Sequence, residues 1–276
     1  MSNSFKEIVW IASYPKSGNT WLRLFLDAYF LGDVNINEIE TSVGDLVTAF
    51  HATDNLSPTR YPLEIQQLLR PSALVKSIIN YRNTKGVSGI PMFMKTHSVC
   101  GNMNGIDLMP PQLTHSTIYI VRDPRDVVRS YAAHMGKTIN EAIESMGAED
   151  TVLCSLERDQ MFTMVSSWST HVKSYVNDIH RNTGIIRYED MKEKPEETFK
   201  VILNHIGIEP DMDRLKKAIK MCEISKLQKQ EEEIGFKERS GKEDKFFGGK
   251  KQNLTVRQAK RIEKMFSKEM KLLGYL

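Results

Sequence analysis

Four short runs of apolar and β-branched residues stand out along the chain: Ile8–Ala12, Met92–Lys95, Thr117–Val121 and Gly184–Arg187. Each is rich in Ile, Val or aromatics and reads as a β-strand. Helix-patterned sequence separates them. Strands spaced by helices require crossovers, which predicts an α/β fold with a central, mostly parallel sheet flanked by helices. The fullest helical pattern lies in "DQMFTMVSSWSTHVKSYVNDIH", where Phe162, Val165, Trp168, Val172, Tyr175 and Ile179 recur at steps of three and four. That spacing predicts one long helix with a single buried stripe. Lys194-Pro195-Glu196-Glu197 opens another helix, since Pro suits its first position and acidic residues suit the positive end of its dipole. Gly207 is its expected stop. Segment 32–91 carries a helical patch, "PLEIQQLLRPSALVKSIINYR", and is expected to be an insertion over the sheet edge that shapes a pocket. Segment 226–254 is dense in charge and glycine and is expected to be a mobile loop, a lid before a last amphipathic helix from about Thr255 to Leu273. There is no internal repeat and no linker-like shift, so 1–276 reads as a single domain.

Composition narrows the classes. The chain has 276 residues, 40% of them hydrophobic and 26% charged, which is enough to bury a core and far from the signature of disorder. A net charge of +3 is too balanced for a general polyanion-binding surface, so no nucleic-acid partner is expected, but a local basic pocket is compatible with it. Cys100, Cys154 and Cys222 have neither metal-ligand nor C-x-x-C spacing. The N-terminal "MSNSFKEIVWIASYPK" lacks a signal-peptide pattern, and no run of about 18 apolar residues occurs. A cytoplasmic protein with no membrane partner and no metal is expected.

Candidate chemistry begins after the first strand. The loop "SYPKSGNT" leads directly into the helix-like "WLRLFLDAYFL". Backbone N–H groups at a helix start, with a glycine that permits close approach, form a ready anion site. Lys16 adds a full charge, and Ser17, Asn19 and Thr20 add side-chain donors. The loop does not spell G-x-x-x-x-G-K-[ST], so the usual nucleoside-triphosphate pattern fails. Simple helix capping by Ser17, Asn19 or Thr20 is the competing reading.

The third strand ends in Arg122, and "DPRDVVRSY" begins the next helix, with Asp123 as its cap and Pro124 at the first position. Arg122 therefore sits at the carboxyl end of a strand, where open α/β sheets bind ligands. Ser130 follows two helical turns later, and a second phosphate suits both groups. Pairing of Arg122 with Asp126 as structural glue is the alternative. In "MFMKTH", Lys95 and His97 fall on one side of an extended strand, a base candidate beside a cation. His171 is expected to be a packed core histidine.

Together, "YPKSGNTWL", "MKTH", "VRDPRDVVRSY", "SSWSTHVKSY" and "IIRYEDMKEKPEETFKVILNHIGI" resemble, in order, the cytosolic-type small-molecule sulfotransferases. Members of that family have a P-loop-kinase-like fold and use 3′-phosphoadenosine 5′-phosphosulfate (PAPS), releasing the bisphosphate PAP. The resemblance implies that Lys16, Ser17, Gly18, Asn19 and Thr20 grip the 5′-phosphosulfate, that Arg122 and Ser130 hold the 3′-phosphate, and that Trp21 and Tyr188 contact the adenine. It implies His97 as the base that takes the acceptor's proton, with Lys16, Lys95 and Ser130 completing the catalytic set. Where the family carries an Arg-Lys-Gly segment, this chain reads "KFFGGKKQNLT", so Gly249, Lys250 and Lys251 are the candidates to complete the clamp. Ser225 and Leu227 stand where the family places residues against the adenosine. The implied reaction is transfer to a hydroxyl or amine of a small-molecule acceptor, natural products included, by a monomer or homodimer. An ATP-dependent kinase and a non-catalytic nucleotide-binding module are the rival classes.

Overall fold

The computed structural model describes residues 6–43, 61–85, 90–155, 160–239, 245–249 and 251–276. Five strands form one parallel sheet: β1 (Ile8–Ser13), β2 (Ser42–Val43), β3 (Met92–Thr96), β6 (Thr114–Val121) and β9 (Thr183–Arg187), in the order β2-β3-β1-β6-β9. The four strands expected from sequence are all present, and β2 is an added edge strand paired with β3. Two small antiparallel pairs lie outside the sheet, β4 (Asn102–Met103) with β5 (Ile106–Asp107) and β7 (Val152–Ser155) with β8 (Gln160–Met164).

The central strand explains the layering. β1 is buried along its whole length, and its alternate side chains enter two different cores. Ile8, Trp10 and Ala12 join a cluster built by α2 (Leu63–Lys85), α3 (Pro124–Met135), α4 (Ile139–Gly147), α5 (Trp168–Val176), α10 (Val256–Met265) and α11 (Ser267–Leu272). Val9 and Ile11 join the opposite cluster, built by α1 (Asn19–Leu31), α7 (Pro195–His205), α8 (Met212–Met221) and α9 (Ile224–Ile234). A short helix α6 (Tyr188–Glu193) follows β9 directly. Strand order reverses beside β1, which sets the carboxyl ends of β1, β3 and β6 side by side.

Helix boundaries follow their caps. Asp123 accepts from the Arg125 backbone N–H at 2.9 Å with Pro124 behind it, Thr138 and Thr255 form capping boxes, and Pro195 occupies the first position of α7. Three expectations need correction. The long helix over Phe162–Ile179 is α5 alone; Gln160–Met164 instead pairs with Val152–Ser155 as a strand, Ser166 turns with φ 59° and Ser167 caps the helix. Ile179 is 85% exposed, so the stripe does not extend to it. The expected loop 226–254 begins as helix α9, and the expected last helix divides at Phe266 into α10 and α11. Within 32–91 the described residues form β2 and α2, and 44–60 and 86–89 lie outside the described residues.

Phe199 of α7 stacks on Phe25 of α1 at 3.7 Å between centroids and meets the edge of Trp21 at 6.2 Å. Truncating a fully buried aromatic removes contacts and leaves a cavity. Phe199→Ala is expected to cost about 3–5 kcal/mol of stability, read as a lowered midpoint in urea denaturation.

Candidate functional site

The loop between β1 and α1 is held in an unusual shape. Lys16 has φ 67°, a left-handed conformation rare for lysine, and Gly18 has φ 106°. A Cβ on Gly18 would lie 2.5 Å from the Tyr188 ring, so glycine is required both by conformation and by space. Arg122 fixes the other end of this turn: its Nη1 donates to the Lys16 carbonyl at 3.3 Å, and its guanidinium lies 4.1 Å from the centre of the Tyr188 ring. The loop, the aromatic ring and the arginine are thus stacked into one unit.

Several buried polar atoms in and beside that unit have no partner: Tyr14 Oη, Ser17 Oγ, Asn19 Oδ1 and Arg122 Nε, of which Ser17 and Arg122 offer donors. Buried donors left unmade cost stability, and functional sites are where such a cost is retained. The expected Arg122–Asp126 pair is present but loose, at 4.0 Å. Lys251 stands close enough to Arg122 for their charges to repel: burial first, then the Arg122 charge, with Arg129 and Lys16 adding to it, pushes its amine down to about 8. Lys251 therefore joins the group, Lys250 lies outside the described residues, and Gly249 serves the turn, where a Cβ would meet the Lys245 carbonyl at 2.1 Å. Donors without partners beside crowded cations are what phosphate groups fit.

Lys16 sends its Nζ to His134 Nδ1 at 3.4 Å and over the Phe246 ring at 3.8 Å from its centre. Ser130 is buried one helical turn before His134, on the same face of α3. The structure uses several predicted side chains differently. Asn19 turns its amide to β1, donating to the Ile11 carbonyl at 2.9 Å. Thr20 donates to Glu238 at 3.0 Å. Trp21 donates its indole N–H to the Cys222 carbonyl at 2.8 Å and meets Tyr188 edge-on at 5.7 Å, so the two form one aromatic wall. Leu227 is buried in the core and Ser225 is exposed on α9.

β3 ends at the buried Thr96, one residue short of the extended strand that the sequence reading needed to put Lys95 and His97 on one side; both are half-buried, and the Lys95 charge acts on His97. His97 Nδ1–H donates to the Ser13 carbonyl at 2.7 Å, so Nε2 carries the lone pair. Its backbone is held as well: His171 Nε2–H donates to the His97 carbonyl at 3.2 Å while its Nδ1 accepts from Tyr119. His171 is a core histidine, as expected. Desolvation, with the Lys95 charge beside it, pushes His97 down to about 3, so its imidazole is neutral at physiological pH. Sequence reasoning missed His134, Arg23, Glu238 and Phe246. Only His134 left a signal, its four-residue spacing from Ser130.

Residues 6–274 match the family profile described as the sulfotransferase domain. The chain belongs to the sulfotransferase family. It is 27% identical over 191 residues to luciferin sulfotransferase of Photinus pyralis, covering 66% of this chain and 46% of that protein. It is 28% identical over 202 residues to Sulfotransferase 1A1 of Rattus norvegicus, covering 71% and 58%. These matches thus span about half the length of those relatives. A retinol dehydratase solved with androsterone and PAP superposes with a TM-score of 0.60 at 16% identity, covering 96% of this chain and 80% of that one, which establishes the sulfotransferase fold. No helix among the described residues is long and apolar enough to cross a membrane, and no described cluster of three or more His, Cys, Asp or Glu could hold a metal ion.

The crowding around Lys251 makes a pH prediction. An anion at Arg122 favours the charged lysine, so binding is full below the free amine's value of about 8 and weakens as pH rises through it. PAP affinity, measured by calorimetry, is expected to fall between pH ~7 and ~9, a range in which phosphate monoesters are already ionised. Lys251→Ala is expected to bind more weakly and to lose this slope.

Proposed function

We propose that this sulfotransferase-family chain transfers the sulfuryl group of PAPS to a hydroxyl or amine of a small-molecule acceptor, with His97 as general base. The observation that carries the reading is that Ser17 Oγ in the β1 loop and Arg122 Nε at the tip of β6 are buried donors without partners, in segments that both pack on Tyr188. Two anionic ends of one purine nucleotide suit that arrangement. The PAP bound to retinol dehydratase, which shares this fold, supports it.

The residues divide the work by their chemistry. Lys16, the backbone N–H groups of Ser17 to Thr20 and the Ser17 hydroxyl would hold the 5′-phosphosulfate. Arg122, Lys251 and Ser130 would hold the 3′-phosphate, with Trp21 and Tyr188 lining the purine. When bound, PAPS supplies an activated sulfuryl group whose leaving group is a phosphate. His97 is oriented through Nδ1 by Ser13, so Nε2 is the atom that accepts the acceptor's proton. Burial, and then the Lys95 charge, keep this base neutral in the free protein, and negative charge arriving at the cradle raises its proton affinity. Lys16 is positioned by His134 and supplies charge where negative charge builds. Ser130, on the same helix face, restrains Lys16 between turnovers. Free Cys100 and Cys222 agree with a cytoplasmic setting.

A positioned general base is worth about 10²–10⁴ in rate. His97→Ala is expected to lose that factor in turnover with radiolabelled PAPS across an acceptor library while PAP binding is retained. Lys16→Ala is expected to damage turnover and PAP binding together. Unchanged turnover in His97→Ala rejects the base assignment, and preference for ATP over PAP rejects the donor.

A further inference from the structure

On the β3 side of the cradle lies a second charged site, distinct in character from the Arg122 group. Arg23, one turn past Thr20 on α1, is 5% exposed. Its Nε donates to Ser42 of β2 at 2.9 Å, and its Nη1 donates to Glu238 Oε1 at 3.0 Å. Thr20 Oγ1 donates to the other carboxylate oxygen at 3.0 Å. Desolvation works to raise the Glu238 carboxyl, but the charges of Lys95 and Arg23 and the bonds from Arg23 and Thr20 overcome it and hold it at about 2. Glu238 belongs to neither sheet nor helix; it reaches this pocket from the turn after α9.

The pocket is thus built for a carboxylate: one hydroxyl, one guanidinium and a nearby ammonium converge on it. Its place in the sheet decides what it serves. Arg122 and Lys251 lie toward β6, whereas Arg23 reaches β2 and Lys95 leaves from β3 beside His97. A molecule giving its proton to His97 sits on this side. If Glu238 withdraws to admit it, a buried guanidinium loses its counter-charge, and only an incoming anion restores it.

We propose that Thr20, Arg23 and Lys95 form an acceptor subsite for a carboxylate, and that Glu238 is its internal occupant, exchanged for the acid group of the acceptor. The inference rests on the sulfotransfer reading and narrows its acceptors to hydroxy or amino compounds that also bear an acid. The sulfo group of the donor shares this anion chemistry, and the test separates the two sources. With Glu238 displaced, an analogue lacking the acid leaves Arg23 and Thr20 unpaired and is disfavoured.

Matched pairs, para-hydroxyphenylacetate with para-ethylphenol and omega-hydroxyhexanoate with hexanol, are titrated calorimetrically into the protein with and without PAP and assayed with radiolabelled PAPS. The acid of each pair is expected to bind about tenfold tighter or better and to be the preferred acceptor. Glu238→Gln is expected to tighten the acid further and leave the neutral partner unchanged, and Arg23→Gln to erase the difference while PAP still binds. The proposal is overturned if the neutral partner binds as well, if neither acid binds, if the preference survives Arg23→Gln, or if Glu238→Gln tightens PAPS over PAP without affecting the acid. Should Arg23→Gln not fold, the wild type and Glu238→Gln decide. Failure of PAP to bind would reject the donor reading, and the nucleotide-free titration would still test the subsite.

Discussion

The structure depends on holding several cations together at one end of a parallel sheet, with Arg122 only loosely paired among them. Lys16, Arg122 and Arg129 all act on Lys251, whose amine is depressed first by burial and then by the Arg122 charge. Arg129 is paired with Asp126 at 3.2 Å, whereas Arg122 is held loosely. Lys16 reaches His134 Nδ1 and lies over the Phe246 ring, and Arg122 rests on an aromatic face, a backbone carbonyl and one carboxylate at 4.0 Å. Such contacts offset the loss of water without cancelling the charge, so an anion still gains by arriving. The left-handed turn at Lys16 and Gly18 and the close seat of Tyr188 are consequences of that arrangement, since each sets where the loop's N–H groups point.

The β3 side is organised on the opposite principle. There Arg23 is tightly paired with Glu238, and His97 is fixed twice, through its ring by Ser13 and through its carbonyl by His171. A weakly paired half suits a ligand that brings two phosphates. A tightly paired half has to exchange partners before anything enters, which gives it a means of discrimination that the first half lacks.

Most of the sheet was legible because buried parallel strands read as continuous apolar runs, and the loop after β1 because a strand, a glycine and a helix start in succession have few other uses. Arg122 was legible from its place at a strand end. What failed has a common cause. Phe162 and Val165 fit helical spacing by chance, and the antiparallel partner Val152–Ser155 that makes a strand of Gln160–Met164 lies outside any local window. Helix α9 was hidden by its charge, although Glu231 among those charges is buried. Glu238 and Phe246 carry no signal at all, because their roles exist only when the chain returns to the cradle from far along the sequence.

That return links the two halves. The buried Glu231 carboxylate accepts the backbone N–H groups of Phe246 and Phe247 at 2.8 and 3.0 Å, and Gln228 donates to the Phe247 carbonyl. The grip sets Phe246 against Lys16 and carries the chain on to Lys251 beside Arg122. Phe236, two residues before Glu238, packs on the same two phenylalanines. Phe236, Phe246 and Phe247 thus pack together and set Phe246 beside Lys16 and Glu238 beside Arg23. On the sulfotransfer reading proposed above, a ligand that moves either end would act on the other through that aromatic cluster, and any such coupling is reciprocal by linkage.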